Sequence, residues 1–212
     1  MKGMRSALGW VTAGVLSWST AALAADASAL LQRFVTETQS ATGAFTQTVK
    51  SVAGEQRSLQ RGTFAFQRPG KFVWNTKEPQ PQQVLSDGKS LYQYDPDLEQ
   101  VTIRDVNNSL GASPAQILFG SGSLSSAFQL ENLPDEQGRA WLRAVPRSAD
   151  AGFAHLDIGF VQGQPERLRI LDAFGQQTDI VFTDFTPNAA VPAGQFRFDA
   201  PPGTDVVRMN AP

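Results

Sequence analysis

Two periodicities divide the chain. Leu30, Leu31, Phe34 and Val35 recur at helical spacing behind Asp26 and Ser28, either of which can N-cap a helix that ends before Gly43. The period then changes to two. Phe45, Gln47 and Val49 alternate with Thr46, Thr48 and Lys50, and Thr63 to Gln67 alternates with Phe64 and Phe66 on one side. Phe72, Trp74 and Thr76 follow on the next strand. Val84-Leu85 and Leu91 to Tyr94 flank Ser86-Asp87-Gly88-Lys89 as a hairpin about an Asp-Gly turn. Asp95-Pro96-Asp97 is another turn, and Gln100 to Arg104 another strand. Pro69, Pro79, Pro81 and Pro96 fall between strands, where a missing N–H costs no ladder bond. Ser113-Pro114 starts a second, short helix carrying Ile117, Leu118 and Phe119, which Gly120 to Gly122 ends. Strands resume at Phe128 to Leu130, Ala140 to Val145, His155 to Phe160, Arg167 to Leu171 and Gln177 to Phe182, and Phe196 and Phe198 close the pattern. Asp172-Ala173-Phe174-Gly175 reads as the turn between the last two of these.

This is a mainly β chain of about ten strands and two helices. Antiparallel strands with one apolar face must bury it, and two short helices cannot cover so many. The remaining apolar surface packs on another sheet, closes into a barrel, or faces a cavity lined by Phe, Leu and Ile that would hold an apolar ligand. Periodicity alone leaves these open. No exact repeat or low-complexity linker divides the 212 residues, so one domain is expected.

The stretch FAFQRPGKFVW, Phe64 to Trp74, sets a cation among large aromatics. A two-residue turn at Pro69-Gly70 pairs Arg68 with Lys71 and turns Phe72 and Trp74 away from Phe64 and Phe66. A three-residue turn pairs Arg68 with Phe72 and Phe66 with Trp74, gathering the aromatics and Arg68 on one face. On an inward face Arg68 would need acceptors, and helix C-terminal carbonyls are suitable ones. On an outward face it is a solvated arginine whose stem packs on Phe.

The N-terminus stands apart from this pattern. Lys2 and Arg5, the apolar run Ala7 to Leu16 and Ala22-Leu23-Ala24 form the three regions of a secretory signal peptide, expected over residues 1–24, with cleavage after Ala24 or Ala25. The run is short for a bilayer span, which needs roughly 20 apolar residues. Cleavage takes the 18 basic residues to 16 against 20 acidic ones, a formal net charge of −4. That balance disfavours nucleic acid or an anionic membrane surface as the main partner. The chain has no cysteine, hence no disulfide, no thiolate chemistry and no lipobox of its own. Export without disulfides fits a bacterial periplasm.

The polar inventory argues against an enzyme. His155 is the only histidine, and no cysteine exists to complete a zinc site. Gly120-Ser121-Gly122-Ser123 lacks the G-x-S-x-G spacing of a nucleophile elbow and reads as a loop. Asp95, Asp97 and Glu99 alternate as in a calcium loop, but the following ligands and the obligatory Gly are missing, and Pro96 explains them as a turn. No phosphate loop or dinucleotide fingerprint occurs. A hydrolase on a β-sandwich would need converging polar residues that nothing here marks.

The order R-P-G-x-F-x-W (Arg68 to Trp74), then S-D-G-K-x-L-x-x-Y-x-P-x-x-x-Q (Ser86 to Gln100), resembles the outer-membrane lipoprotein carrier family, LolA. Phe45-Thr46-Gln47, the Ser113-Pro114 helix and the ending Phe196-x-Phe198 with Pro201-Pro202-Gly203 extend the resemblance over nearly all of residues 25–212. It implies an incomplete, strongly curved antiparallel β-barrel, open on one side, with a lid of short helices over an apolar cavity. It implies a monomeric, non-enzymatic chaperone without a cofactor. Such a chaperone accepts lipoproteins from the inner-membrane ABC transporter LolCDE, carries them through the periplasm and hands them to the outer-membrane receptor LolB. At about 0.8 kcal/mol per buried methylene, three acyl chains amount to on the order of 30 kcal/mol, so they cannot cross water unshielded. Carried over, Arg68 is a latch on lid-helix backbone, with Phe34, Leu118 and Phe119 as lid contacts. Phe45, Phe64, Phe66, Phe72, Trp74 and Leu91 form the acyl-chain cavity or transfer surface, Phe72 being the residue for transfer partners. The sequence departs from the family in its Gly-Ser-rich loop after the second helix, Gly120 to Ser126. A generic periplasmic binder of hydrophobic ligands on a similar half-barrel is the alternative.

Overall fold

The computed structural model describes residues 26–106, 118, 127–148 and 151–209. One helix, α1 (Ala27–Glu37), precedes eleven strands: β1 (Ser40–Lys50), β2 (Gln56–Gln67), β3 (Lys71–Glu78), β4 (Gln82–Asp87), β5 (Ser90–Asp95), β6 (Gln100–Asp105), β7 (Phe128–Glu136), β8 (Arg139–Pro146), β9 (Phe153–Val161), β10 (Gln164–Asp172) and β11 (Gln177–Pro187). A 3-10 turn (Ala193–Phe196) and β12 (Asp205–Met209) follow. Each expected strand from Phe45 to Phe182 has a counterpart, extended at one or both ends. β12 was not expected. The expected second helix, from Ser113 to Phe119, lies outside the described residues except for Leu118, as do residues 1–25 with the expected signal peptide.

All twelve described strands form one sheet, in the order β12-β6-β5-β4-β3-β2-β1-β11-β10-β9-β8-β7. Neighbours are antiparallel except β12, which runs parallel to β6. The long strand β1 is the spine. Hairpins step outward from it on one side as β2 to β6, and β11 returns along its other edge to begin the second wing.

The sheet is curled, as α1 shows. Phe34 of α1 meets Phe66 of β2 with ring centroids 6.2 Å apart. On the same helix, Ser28 N–H donates to Asn132 Oδ1 of β7 at 2.9 Å. Six strand spacings separate β2 from β7, roughly 29 Å in a flat sheet. Ser28 and Phe34 are about 9 Å apart along the helix. Only a sheet whose wings turn toward each other brings both strands to one short helix.

The concave face holds the main core. Phe45, Phe64, Phe66, Phe72, Trp74 and Leu91 from one wing pack with Leu142, Leu156, Ile158, Phe160, Leu168, Ile180 and Phe182 from the other, under Ala27, Leu31 and Phe34 of α1. The convex face differs between wings. On the β2–β4 side, Ala65, Val73 and Leu85 are covered by Phe196, with Val191, Tyr92 and Phe198 around them. Phe198 stacks on Tyr92 at 5.4 Å. On the β8–β11 side the outward positions carry cross-strand ion pairs, Arg143–Asp157 at 2.7 Å and Arg167–Asp179. Arg169 lies over the Trp141 ring at 4.1 Å. His155 is part of this outer face, 3.9 Å from the Asp157 carboxylate, and burial lowers its pKa from the ordinary 6.5.

Candidate functional site

The strand pair β2–β3 is joined by Arg68-Pro69-Gly70. Gln67 pairs with Lys71, Phe66 with Phe72 and Phe64 with Trp74. This register is neither of the two expected from turn length. The aromatics share the concave face, as the three-residue alternative required, but Arg68 sits in the loop rather than opposite Phe72. Gly70 supplies the left-handed corner at φ 71°. The fully buried Ser86 fixes that corner from the next hairpin by donating its hydroxyl to the Gly70 carbonyl at 2.7 Å.

From this loop the half-buried Arg68 side chain reaches the end of α1. Its Nε donates to the Thr38 carbonyl at 3.1 Å, and its Nη2 donates to the Leu118 carbonyl at 3.3 Å. Thr38 is the C-cap of α1, where carbonyls lack intrahelical donors and the helix dipole is negative. The guanidinium also lies 5.5 Å from the Phe34 ring centroid and 5.2 Å from that of Phe66. Burial pushes its pKa below the ordinary arginine value. An arginine nevertheless stays protonated at neutral pH. A single cation thus ties three chain segments together through backbone oxygens: the β2–β3 loop, α1, and the segment containing Leu118.

Below it the concave face is filled. Phe45 stacks on Trp74 at 3.8 Å, Phe64 meets Phe182 edge-on at 5.4 Å, and Phe34 contacts Phe185 at 6.0 Å. Phe66, Phe72, Leu91 and Leu118 are buried in the same cluster, while Phe119 lies outside the described residues. Phe72 is an interior residue with no exposed surface. Large apolar and aromatic side chains line this concave interior. Beside it lies a pocket of about 650 Å³ between α1 and the turns β7–β8 and β9–β10, with both polar and apolar walls.

Two asparagines hold the ends of α1. At its start, Asn132 accepts from Ser28 N–H and donates to the Asp26 N-cap carboxylate at 3.0 Å. At its end, Asn188 accepts from Gln39 N–H at 2.9 Å and donates to the Glu37 carbonyl at 3.1 Å. Asn188 has φ 54°, a left-handed conformation that Asn tolerates and Ala does not. Asn188→Gly keeps that backbone and loses both side-chain bonds, with an expected cost of about 1–2 kcal/mol. Asn188→Ala adds backbone strain and should melt lower than Asn188→Gly in the same thermal scan. Equal melting of the two variants would remove the conformational argument.

The Asp26 carboxyl is held below its ordinary value of 3.8, first by the Ser28 hydroxyl, then by the Asn132 amide and the Ala29 N–H. A folded value below the unfolded one stabilises the helix start fully above the unfolded pKa, and this stabilisation is lost as pH falls through the folded value. The difference in urea midpoint between the wild type and Asp26→Ala should therefore be widest near neutral pH and narrow below about pH 4. A pH-independent difference would show that the cap acts without its charge.

Sequence reasoning found Arg68 and its class of acceptor but missed both asparagines. Asn188 lies 149 residues from Gln39, and no local pattern joins them. The expected calcium-like alternation is a turn: Asp95 Oδ1 accepts from the N–H groups of Asp97 and Leu98. Among the described residues no acidic or histidine cluster could hold a metal.

The model of the family described as outer membrane lipoprotein carrier protein LolA matches residues 36–199. An outer-membrane lipoprotein carrier protein of Bordetella pertussis is 52% identical over 188 residues, 89% of this chain and 89% of that protein. Proteins with the same description from Cupriavidus pinatubonensis and Methylibium petroleiphilum are 44% and 40% identical, covering 87% and 96% of this chain and 89% and 99% of their own. Among solved structures, a LolA superfamily protein from Nitrosomonas europaea superposes with a TM-score of 0.52 at 12% identity, covering 81% of this chain and 97% of that one. A protein from Thermus thermophilus does so with 0.55 at 16%, covering 86% and 99%. These two show the fold alone. The curled single sheet, the R-P-G loop that closes it onto α1 and the family match agree, and the chain belongs to the outer-membrane lipoprotein carrier protein LolA family.

Proposed function

We propose that the protein is a periplasmic, non-enzymatic carrier of lipoproteins. It takes their acyl chains from the inner-membrane transporter LolCDE and gives them up to the outer-membrane receptor LolB. The working unit is residues 25–212, released from a signal peptide over residues 1–24, and it acts as a monomer. Arg68 is the latch, and Phe34, Leu118 and Phe119 are the lid contacts that it holds. Phe45, Phe64, Phe66, Phe72, Trp74 and Leu91 line the space that acyl chains occupy once α1 lifts. Phe72 then becomes reachable for a transfer partner.

The observation that carries this reading is the Arg68 contact set. A buried cation whose two side-chain bonds both end on backbone carbonyls costs desolvation and adds no specific ion pair. Hydrogen bonds to a charged group contribute about 1.5–3 kcal/mol each, enough to hold a lid and small enough to be released by apolar cargo. The interior under it is apolar and aromatic.

The test is release from spheroplasts carrying radiolabelled lipoproteins and a working LolCDE. Mature protein should bring lipoproteins into solution as a one-to-one complex and deliver them to outer membranes containing LolB. If nothing is released, the carrier reading fails. Release without delivery would favour a generic binder of hydrophobic ligands.

A further inference from the structure

Lipoprotein cargo is an amphiphile. Wherever its acyl chains lie, the polypeptide joined to them must leave the interior through an opening that is apolar on the inside and polar at its rim. The pocket beside α1 has this character. Its floor is formed by Phe34, Ala140 and Phe160, all members of the concave-face core, so only packed side chains separate it from the interior. One wall is the second half of α1, ending at Thr38, whose carbonyl Arg68 holds. Lifting α1 would therefore merge pocket and interior into one space. A second pocket of similar size lies across the sheet, against Ala65, Val73 and Leu85 of the convex face. It meets the other apolar cluster and leads away from the lid.

Two side-chain amides of the α1 pocket are uncommitted. Gln162 and Gln164 line it from the β9–β10 turn, and their amides make no hydrogen bond to any described residue. A side-chain amide both donates and accepts, which matches a peptide backbone and is indifferent to its side chains. Charges of both signs flank the opening, Arg33 against Glu37 and Asp135.

We propose that this pocket is the exit for the cargo polypeptide, and that Gln162 and Gln164 bind the backbone of the first residues after the lipid-modified one. The inference rests on the carrier reading above. It makes recognition at the exit independent of sequence, as a carrier of many clients requires.

A photoreactive benzoylphenylalanine placed at Gln164 in the mature protein, loaded with one lipoprotein and irradiated, reads the site directly. Crosslinks mapped by mass spectrometry should fall within the first few residues of the cargo. The same group at Asn75, on the convex pocket, is the control. A loaded complex that crosslinks at Asn75, or only to distant cargo residues, overturns the exit while leaving the carrier reading intact. Failure of the wild type to load at all refutes the carrier reading instead. As an independent measurement, the Gln162→Ala, Gln164→Ala double variant should lose lipoprotein about tenfold faster than wild type. Its affinity for a free fatty acid, which has no peptide, should be unchanged. Equal loss of both ligands would assign the amides to the lipid, and no loss of either would remove them from the site.

Discussion

Arg68→Leu is expected to take up lipoprotein as well as the wild type and to deliver it at least tenfold more slowly. The variant loses two charge-assisted hydrogen bonds, to Thr38 and Leu118, whose combined contribution is about 3 kcal/mol or more. These bonds hold the end of α1 over the concave face, where Phe34, Leu118 and the aromatic core pack together. On the proposed carrier reading, cargo and α1 compete for the same space, so weakening the hold on α1 shifts the balance toward the loaded state. Release then becomes unfavourable because the empty interior no longer has a stable occupant. Leucine keeps the bulk beside Phe34 and Phe66 and adds apolar surface, so the fold should survive. Arg68→Lys should fall between the two, since an ammonium is a point charge without the planar fork that serves two divergent carbonyls. The measurement is the split between loading yield and delivery rate. Loss of loading with normal delivery of whatever is loaded would reverse the assigned role.

Gly62→Ala should be the most destabilising single methyl in the described strands. A Cβ at Gly62 would lie 2.0 Å from the Asn75 carbonyl oxygen of β3 and 2.6 Å from Cζ of Phe45. The first neighbour is backbone near the end of the β2–β3 ladder away from the Arg68 loop, where the register already shifts between Arg61 and Gly62, and the second is locked in its stack on Trp74. Neither can move without opening the β2–β3 pair. The cost should reach about 3 kcal/mol or more, a fall in Tm of roughly 6–12 °C for a chain of this size. A melt within about 2 °C of wild type would mean that the close approach of β3 to Gly62 does not exist in solution.

How much of this was legible in the sequence follows from what each residue buries. β1 to β5 and β8 to β11 each bury residues in the concave core, so their alternation survives in the residue pattern and the strands are readable. β12 buries almost nothing, pairs only with β6 and leaves Val206 and Met209 exposed, so no alternation marked it. Phe196 and Phe198 alternate as a strand would, yet Phe196 ends a 3-10 turn, because the segment caps the outer patch over Leu85 instead of joining the sheet. The curl of the sheet came from family resemblance, since periodicity allows a sandwich equally well. At the site, the need of Arg68 for carbonyl acceptors could be argued from its setting, but its register could not. One residue of turn length decides it, and here Ser86, from a later hairpin, holds the Gly70 corner. The asparagine ties at both ends of α1 are long-range contacts and left no trace in local sequence.

The central claim is that α1 gives way to cargo and returns when cargo leaves. The chain has no cysteine, so two introduced ones are the only attachment points for spin labels. Val35, on the exposed side of α1, and Lys77, at the exposed end of β3, are suitable positions that make none of the Arg68 hydrogen bonds. Pulsed electron–electron distance measurements on Val35→Cys, Lys77→Cys would be made empty, loaded with lipoprotein, and after delivery to LolB-containing membranes. The account predicts one distance for the empty protein, a clearly longer or broader distribution when loaded, and recovery of the first after delivery. A loaded one-to-one complex whose distance distribution equals that of the empty protein would contradict it.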